Sequence, residues 1–548
     1  MPLLIDLFGY LSILLHGLTI VAQSMALGGT LFLVFLARPF APDLAEGPEL
    51  ARRTARIAAW SAVGLVACEA LTVALQSAVL MSSLDLPLSG IIGAQFAVAG
   101  LVKIAAGAVL AACLFAPRPP PAGPLLGLVA VVLYAAVLTT HAAARLDDSA
   151  LLMAASALHI LGAAVWIGGI PCFVMALQQV DGGAAFRRIG ARFSRMSMLG
   201  VLCILISAVI FSDLYIGSIK AAYGTAYGVM VGAKAAMFGA LLLLGLGNFL
   251  LVERLRADPA TPVLRMRRFA EVEIGIGLSI FFAAASLTSA PPAIDLKQDR
   301  VSWPEIVARN TPEWPRLHSP DLGSLALIEL QSKLDAEAAQ QRRAAAPAFV
   351  PGSGELPDRN ASDIAWSEYN HHWAGLFVGL MGVLALLHRA GMRWAKHWPL
   401  AMLGLAGFLF LRADPEVWPL GKEGLLESLR DIEVLQHRMF VVLIVAFAVF
   451  EWGVRTGRLR SPKAALVFPL ICAIGGALLL THSHAIANIR DQLLIELTHT
   501  PLALAGIAAG WARWLELRAD GAVRRWAGWV WPACFLLIGA LLLLYREA

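Results

Sequence analysis

The sequence predicts an all-α polytopic membrane protein, a bundle of about fourteen transmembrane helices, because only helices satisfy their own backbone polar groups in lipid at this apolar length. Three observations carry that fold class. Of 548 residues, 59% are hydrophobic and 15% charged, against roughly 45–50% and 25% in soluble domains. The apolar residues gather into runs of about 20, the length that spans a bilayer as helix. The basic residues fall on alternate loops, as the positive-inside rule requires of a chain that crosses repeatedly.

Apolar runs bounded by Arg, Pro and Gly place the spans near 8–37, 57–81, 90–116, 124–144, 150–179, 196–217, 227–252 and 270–290 in a first block. A second block follows, with spans near 371–390, 398–412, 435–454, 464–484, 493–512 and 526–545, the one at 398–412 being short. Loops after odd-numbered spans hold Arg52, Arg53 and Arg56, then Arg187, Arg188, Arg192 and Arg195, then Arg265, Arg267 and Arg268, with similar clusters up to Arg524 and Arg525. The short loops on the opposite side hold only Arg145, Lys220, Lys422, Arg430 and Arg490. Both termini are therefore expected outside, and the net charge of +5 reflects this inward bias and not a nucleic-acid surface. The first span is expected to double as the insertion signal, since no small-residue cleavage site follows a short apolar region.

The expected domains are 1–290, an N-terminal 4+4 repeat bundle, then an exported segment at 291–365, then a six-helix bundle at 366–548. The repeat is read from VACEALTVALQSAV around Cys68 beside VLCILISAVIFSDL around Cys203, and from the segments ending at Lys103 and Lys234. Parallel topology follows from the four spans that separate equivalents. In the exported segment SLALIELQSKLDAEAAQQRRAA has helical spacing between Pro- and Gly-rich linkers, and Trp303, Trp314 and Trp366 are expected to mark the interface.

The six cysteines stand singly inside apolar runs, which indicates neither a disulfide scaffold nor a zinc site. No nucleophile–base arrangement, P-loop or dinucleotide fingerprint is visible, so the chain is not expected to be an enzyme or an ATP-driven pump.

Histidines carry the functional signal. His16, His141 and His159 in the first block, and His371, His372, His437, His482, His484 and His499 in the second, all fall at outward ends of spans, whereas His388 and His397 lie inward. Met25 and Met439 lie in sequence near members of this set. Imidazole and thioether are ligands that copper accepts, while calcium or magnesium would call for carboxylates. A lone interfacial histidine is usually a snorkelling or capping residue; nine on one side, some in close pairs such as HSH at 482–484, form a different pattern. Buried charge is the second signal: Lys103 and Lys234 at repeat-equivalent places, with Glu69, Glu271 and Glu273 in or beside apolar runs. Each is expected to be paired or to line a polar cavity, either as a Lys–Glu latch or on an ion path.

The first block resembles the CopD/PcoD copper-resistance membrane proteins in ALHILGAAVWIGGI at 157–170, RFSRMSMLGVLCILISAVI at 192–210, GSIKAAYGTAYGVMVGAK at 217–234, GLGNFLL, and the closing EVEIGIGLSIFFAAASLTSAPP. The likeness is good over the fifth to eighth spans and looser over the first four. It implies a bacterial inner-membrane protein that handles copper from the periplasm, often with a small soluble CopC-like copper-binding partner. His159 matches the family's histidine before the Trp-Ile-Gly-Gly motif, His141 the histidine ending the preceding helix, and Lys234 the lysine after Tyr-Gly. The sequence departs in QSMALGG, where Met25 replaces an aromatic residue, and no CopC-like domain is fused; the six-span block looks like the extension of longer members.

Two functions are weighed beside a blander third, an accessory membrane subunit that docks a periplasmic partner through 291–365. In the first, copper binds at outward His/Met sites and is transported or handed over. In the alternative, histidines on facing helices ligate haem b, with Gly375, Gly379 and Gly382 beyond His372 making room for a porphyrin.

Overall fold

The computed structural model describes residues 2–44, 46–84, 87–179, 183–297, 300–320, 361–414, 417–422, 424–429, 432–481 and 489–547. Every regular element among them is a helix. Fourteen long elements follow in order: α1 Phe8–Phe40, α2 Gly47–Ser82, α3 Gln95–Phe115, α4 Ala122–Leu138, α5 Ser149–Gln179, α6 Gly183–Ile216, α7 Ala226–Ala257 and α8 Leu264–Leu287. Then come α9 Ala361–Arg389, α10 Ala401–Arg412, α11 Ile432–Arg455, α12 Val467–Leu479, α13 Ile489–Arg518 and α14 Gly521–Leu543.

Among the described residues, 11 of these helices are long and apolar enough to cross a bilayer. The protein is thus a multi-pass, all-α membrane protein. The other three expected spans are apolar helices too short for that criterion: α4, α12 and the 12-residue α10. Several long helices outrun the apolar runs at their arginine-bearing ends; α2 and α6 begin about ten or more residues earlier than their apolar runs, because a helix keeps its hydrogen bonding into the headgroup region after the composition turns polar.

By contact the chain divides into two compact units, Met1–Arg300 with Ala477–His484, and Val301–Gly476 with Ala485–Ala548. In the first, α1 packs on α2, on α8 and on the middle of α5. That part of α5, Ala164–Gly168, is π-helical, the kind of bulge that recurs at functional sites. Here it belongs to the Trp-Ile-Gly-Gly motif. A Cβ on Gly168 would stand 1.9 Å from the Ser24 carbonyl of α1, and one on Gly28 would stand 2.1 Å from the Ala164 carbonyl. The glycines let two backbones touch, the usual basis of helix association in lipid.

The segment 217–234 folds by local chemistry. Gly217, at φ +72, ends α6 in the left-handed region that glycine occupies without strain. The Ser218 hydroxyl accepts from the Ala221 N–H and opens the short helix Ile219–Gly224. Thr225 then accepts from the Gly228 N–H and opens α7. Lys234 is thereby set a little over two turns inside α7.

In the second unit α9 packs along α14, and α14 along α13. Gly375, Gly379 and Gly382 face α14: added Cβ atoms would meet the Leu543 amide at 2.7 Å, the Gly539 Cα at 3.8 Å and the Leu536 amide at 2.5 Å. The space expected to admit a porphyrin is filled by helix backbone. Trp366 is buried with Tyr369 and Phe408, with Arg412 over its ring, whereas Trp303 and Trp314 are exposed. The helix-patterned stretch at 324–345 lies outside the described residues.

Candidate functional site

In the first unit the structure brings histidines and lysines together in two places. His16 of α1 lies within electrostatic reach of Lys103 of α3 and of His141, which opens the short helix His141–Ala144 after α4. His159 of α5 lies within reach of Lys234 of α7. Each half of the repeat thus sets a histidine of its first helix beside a lysine of its third.

Hydrogen bonds decide which ring nitrogen of each histidine carries the proton. Ser207 of α6 donates its hydroxyl hydrogen to the Ile204 carbonyl at 2.8 Å, so the 2.9 Å contact from Nδ1 of His159 to the Ser207 oxygen is an N–H donation. The lone pair of His159 is then on Nε2. His141 donates from Nε2 to the Thr288 carbonyl at 2.6 Å, leaving its lone pair on Nδ1. Orientation of a ring by such a bond is how proteins prepare an imidazole for a metal.

The buried charges resolve differently. Lys103 and Glu69 form an ion pair at 2.8 Å, with side chains 6% and 5% exposed. Gly100, one turn before Lys103, makes room for it, since a Cβ there would meet Val73 at 2.5 Å and Glu69 Oε1 at 3.1 Å. Lys234 has no such carboxylate among the described residues; its electrostatic neighbour is His159. Glu273 of α8 is buried, accepting from Asn248 Nδ2 of α7 at 2.7 Å and from Trp166 of α5. Met25 lies nine residues after His16 on α1, about 13.5 Å along the helix axis at 1.5 Å per residue, so the two do not share an ion within that helix.

In the second unit His371 of α9 and His499 of α13 both pack on Tyr545, the first stacked at 3.9 Å and the second edge-on at 6.3 Å between ring centroids. Each donates from Nδ1 to the carbonyl four residues back, Ser367 at 2.8 Å and Ile495 at 2.9 Å, which places the lone pair on Nε2. Glu547 accepts from the Tyr545 hydroxyl at 2.9 Å and from Ser367. His372 is a strut: Nδ1 accepts from the Arg316 N–H at 2.7 Å and Nε2 donates to the Tyr545 carbonyl at 2.8 Å. His437 contacts Asp414 at 2.7 Å through Nδ1, and Met439, two residues on, is 57% exposed. His482 and His484 lie outside the described residues.

Among the described residues no three His, Cys, Asp or Glu side chains converge into a metal cage. Sequence reasoning missed Ser207, Tyr545, Glu547 and the hydrogen-bonding role of Asn248 and Trp166. Ser207, Asn248 and Trp166 stood inside the quoted motifs, which were the available signal; nothing about a serine or a tyrosine in or beside an apolar run marks its partner.

Residues 187–287, which span α6, α7 and α8, match the family CopD, Copper resistance protein D. The chain is also similar to Copper transport protein CutJ of Bacillus subtilis (strain 168), 30% identical over 164 residues, which is 29% of this chain and 29% of that protein. No solved structure matches the chain. The copper-resistance resemblance read from the sequence is therefore supported over the α6–α8 segment, and that segment contributes the Ser207, Lys234, Asn248 and Glu273 described above.

Proposed function

We propose that this chain is a carrier of copper in a bacterial inner membrane, with both termini on the periplasmic side, and that it is not an enzyme. Cuprous ion is its substrate. It is received at the outward histidines, from a small periplasmic copper-binding protein of the CopC kind, and moved inward or handed to an acceptor. The observation that carries the reading is the setting of His159: its own helix carries the Trp-Ile-Gly-Gly motif about two turns further on, and the CopD-matching segment supplies Ser207, which fixes its tautomer, and Lys234, which lies beside it.

The roles follow from chemistry. His16 and His141 offer a pair of imidazoles close to a lysine whose charge Glu69 already cancels, so a cation meets little repulsion there. His159 offers Nε2 beside a lysine whose charge no described carboxylate cancels, so a cation is held there more weakly. In the second unit His371 and His499 supply a further pair, with Glu547 nearby as negative charge. Among the described residues no feature favours haem b: α14 fills the glycine face of α9, and Tyr545 packs against both His371 and His499.

The test is cuprous affinity of the purified full-length protein by competition with a chromophoric chelator. His16→Ala with His141→Ala is expected to remove the tighter copper, and His159→Ala a weaker one. Stoichiometry and affinity unchanged in both variants would reject the reading.

A further inference from the structure

At the end of the first unit that carries the arginine-rich loops, a cavity of about 50 Å³ is lined by Trp166, Ser197, Asn248, Met266 and Glu273, among others. That is room for water beside polar groups. Glu273 is 4% exposed. Its partners are the Asn248 amide and the Trp166 indole, both neutral. Two buried polar atoms at the same cavity have no hydrogen-bond partner among the described residues, Asn248 Oδ1 and Ser197 Oγ.

Charged groups on the surrounding helices are engaged elsewhere. On α8, Arg268 pairs with Glu271, and Arg267 donates to the Leu177 carbonyl. On α6, Arg192 and Arg195 donate to the carbonyls of Phe35 and Ala191. On α7, Arg256 pairs with Glu253. Arg265 lies over the Phe269 ring, Arg38 of α1 stands at that helix's end, and α5 brings no ionisable side chain next to Trp166. Among the described residues no cation pairs with Glu273.

An ionised carboxylate within a span is costly unless a cation pairs with it. Hydrogen bonds from two neutral donors offset part of that cost. The deciding term is Asn248 Oδ1, since a buried acceptor left without a partner carries its own desolvation penalty. A proton on the second oxygen of Glu273 removes both penalties at once. Asn248 Nδ2 already donates to Oε1, and an O–H on Oε2 would donate back to Asn248 Oδ1, closing a ring of two hydrogen bonds between acid and amide.

We propose that Glu273 is an exchangeable proton site: it holds a proton in a closed acid–amide ring with Asn248, and the cavity with Ser197 lets that proton leave to and return from water. The proton moves between Glu273 Oε2 and a water molecule in the cavity, with no other group changing charge. Such a site is what a proton-coupled carrier needs in its own bundle, and it does not depend on where copper binds.

The test uses infrared difference spectra of the full-length protein in proteoliposomes at neutral pH, in ordinary and in heavy water. The wild type is expected to show a hydrogen-bonded carboxylic-acid C=O stretch that shifts in heavy water and is lost in Glu273→Gln. In Asn248→Leu the same band is expected at the higher frequency of an acid without that partner. Glu273→Gln, whose amide reproduces the ring, is expected to melt close to the wild type, and Glu273→Ala lower. Identical carboxyl spectra of wild type and Glu273→Gln would overturn the proposal. So would a band insensitive to heavy water, a band unmoved by Asn248→Leu, or a Glu273→Gln protein as unstable as Glu273→Ala.

Discussion

The two halves of the first unit place the same pair of residue types together and then treat the charge in opposite ways. Lys103, beside His16, is locked to Glu69 at 2.8 Å. Lys234, beside His159, has no such carboxylate among the described residues, and the sequence comparison sets Ile204 where Glu69 stands. The backbone allows for the difference. Gly100 leaves space for the Glu69 carboxylate, and the residue three before Lys234 is Val231. Both halves set a histidine beside a lysine, and the presence or absence of a nearby carboxylate decides whether that lysine is structural or exposed to the field of its neighbour.

The comparison breaks most readily at Glu69. Glu69→Gln leaves a buried ammonium without its partner and is expected to cost about 3–5 kcal/mol, whereas Glu69→Leu with Lys103→Met recovers most of that loss. Thermal unfolding of the solubilised protein would show it, and equal stability of the single and double variants would mean the pair is not a latch. Next in size is Ser207→Ala, which frees the His159 ring and is expected to weaken its copper about 10–100-fold while leaving the His16–His141 site unchanged; chelator competition reads both. Gly100→Ala is expected to cost about 1–3 kcal/mol by pressing on Val73 and Glu69, and the same change at Val231, which removes volume near Lys234, to act without touching an ion pair. The smallest effect is Lys234→Met, with stability within about 1 kcal/mol of wild type and cuprous affinity at His159 raised by up to about tenfold, or ~1.4 kcal/mol. Unchanged affinity there would mean that Lys234 does not repel the ion, and the asymmetry between the halves would lose its functional content.

The second unit shows how two readings of one residue type separate. His371 and His499 each donate from Nδ1 to the preceding turn of their own helix, whereas His372, adjacent to His371, is held at both nitrogens by other parts of the chain. In sequence these three look alike. Their difference depends on Arg316 and Tyr545, which come from distant parts of the chain.

Much of the fold was legible because its cause is local. Runs of apolar residues as long as a bilayer is thick have one way to satisfy their backbone, and the long helices appear where those runs stand. The three shorter helices, α4, α10 and α12, were legible as apolar segments, though their length alone does not carry them across. The glycines after His372 were read as space for a ligand and are instead the contact with α14, since a missing side chain invites either a ligand or a neighbouring backbone and the sequence does not say which. The candidate residues were found by type: histidines at outward ends and charges within apolar runs. Their partners were not, because Lys103 with Glu69, His141 with Thr288 and Glu273 with Asn248 meet only when separate helices pack.

The chain by itself therefore determined that it is helical, that it crosses a membrane many times and that it carries imidazoles and charges where lipid disfavours them, all consequences of hydropathy and backbone hydrogen bonding along the chain. Only the tertiary structure decided which lysine is neutralised, which histidine keeps a lone pair and which glutamate faces a cavity. Each of those depends on a hydrogen bond or ion pair a few ångströms long between groups far apart in sequence, and no composition or periodicity encodes such a distance.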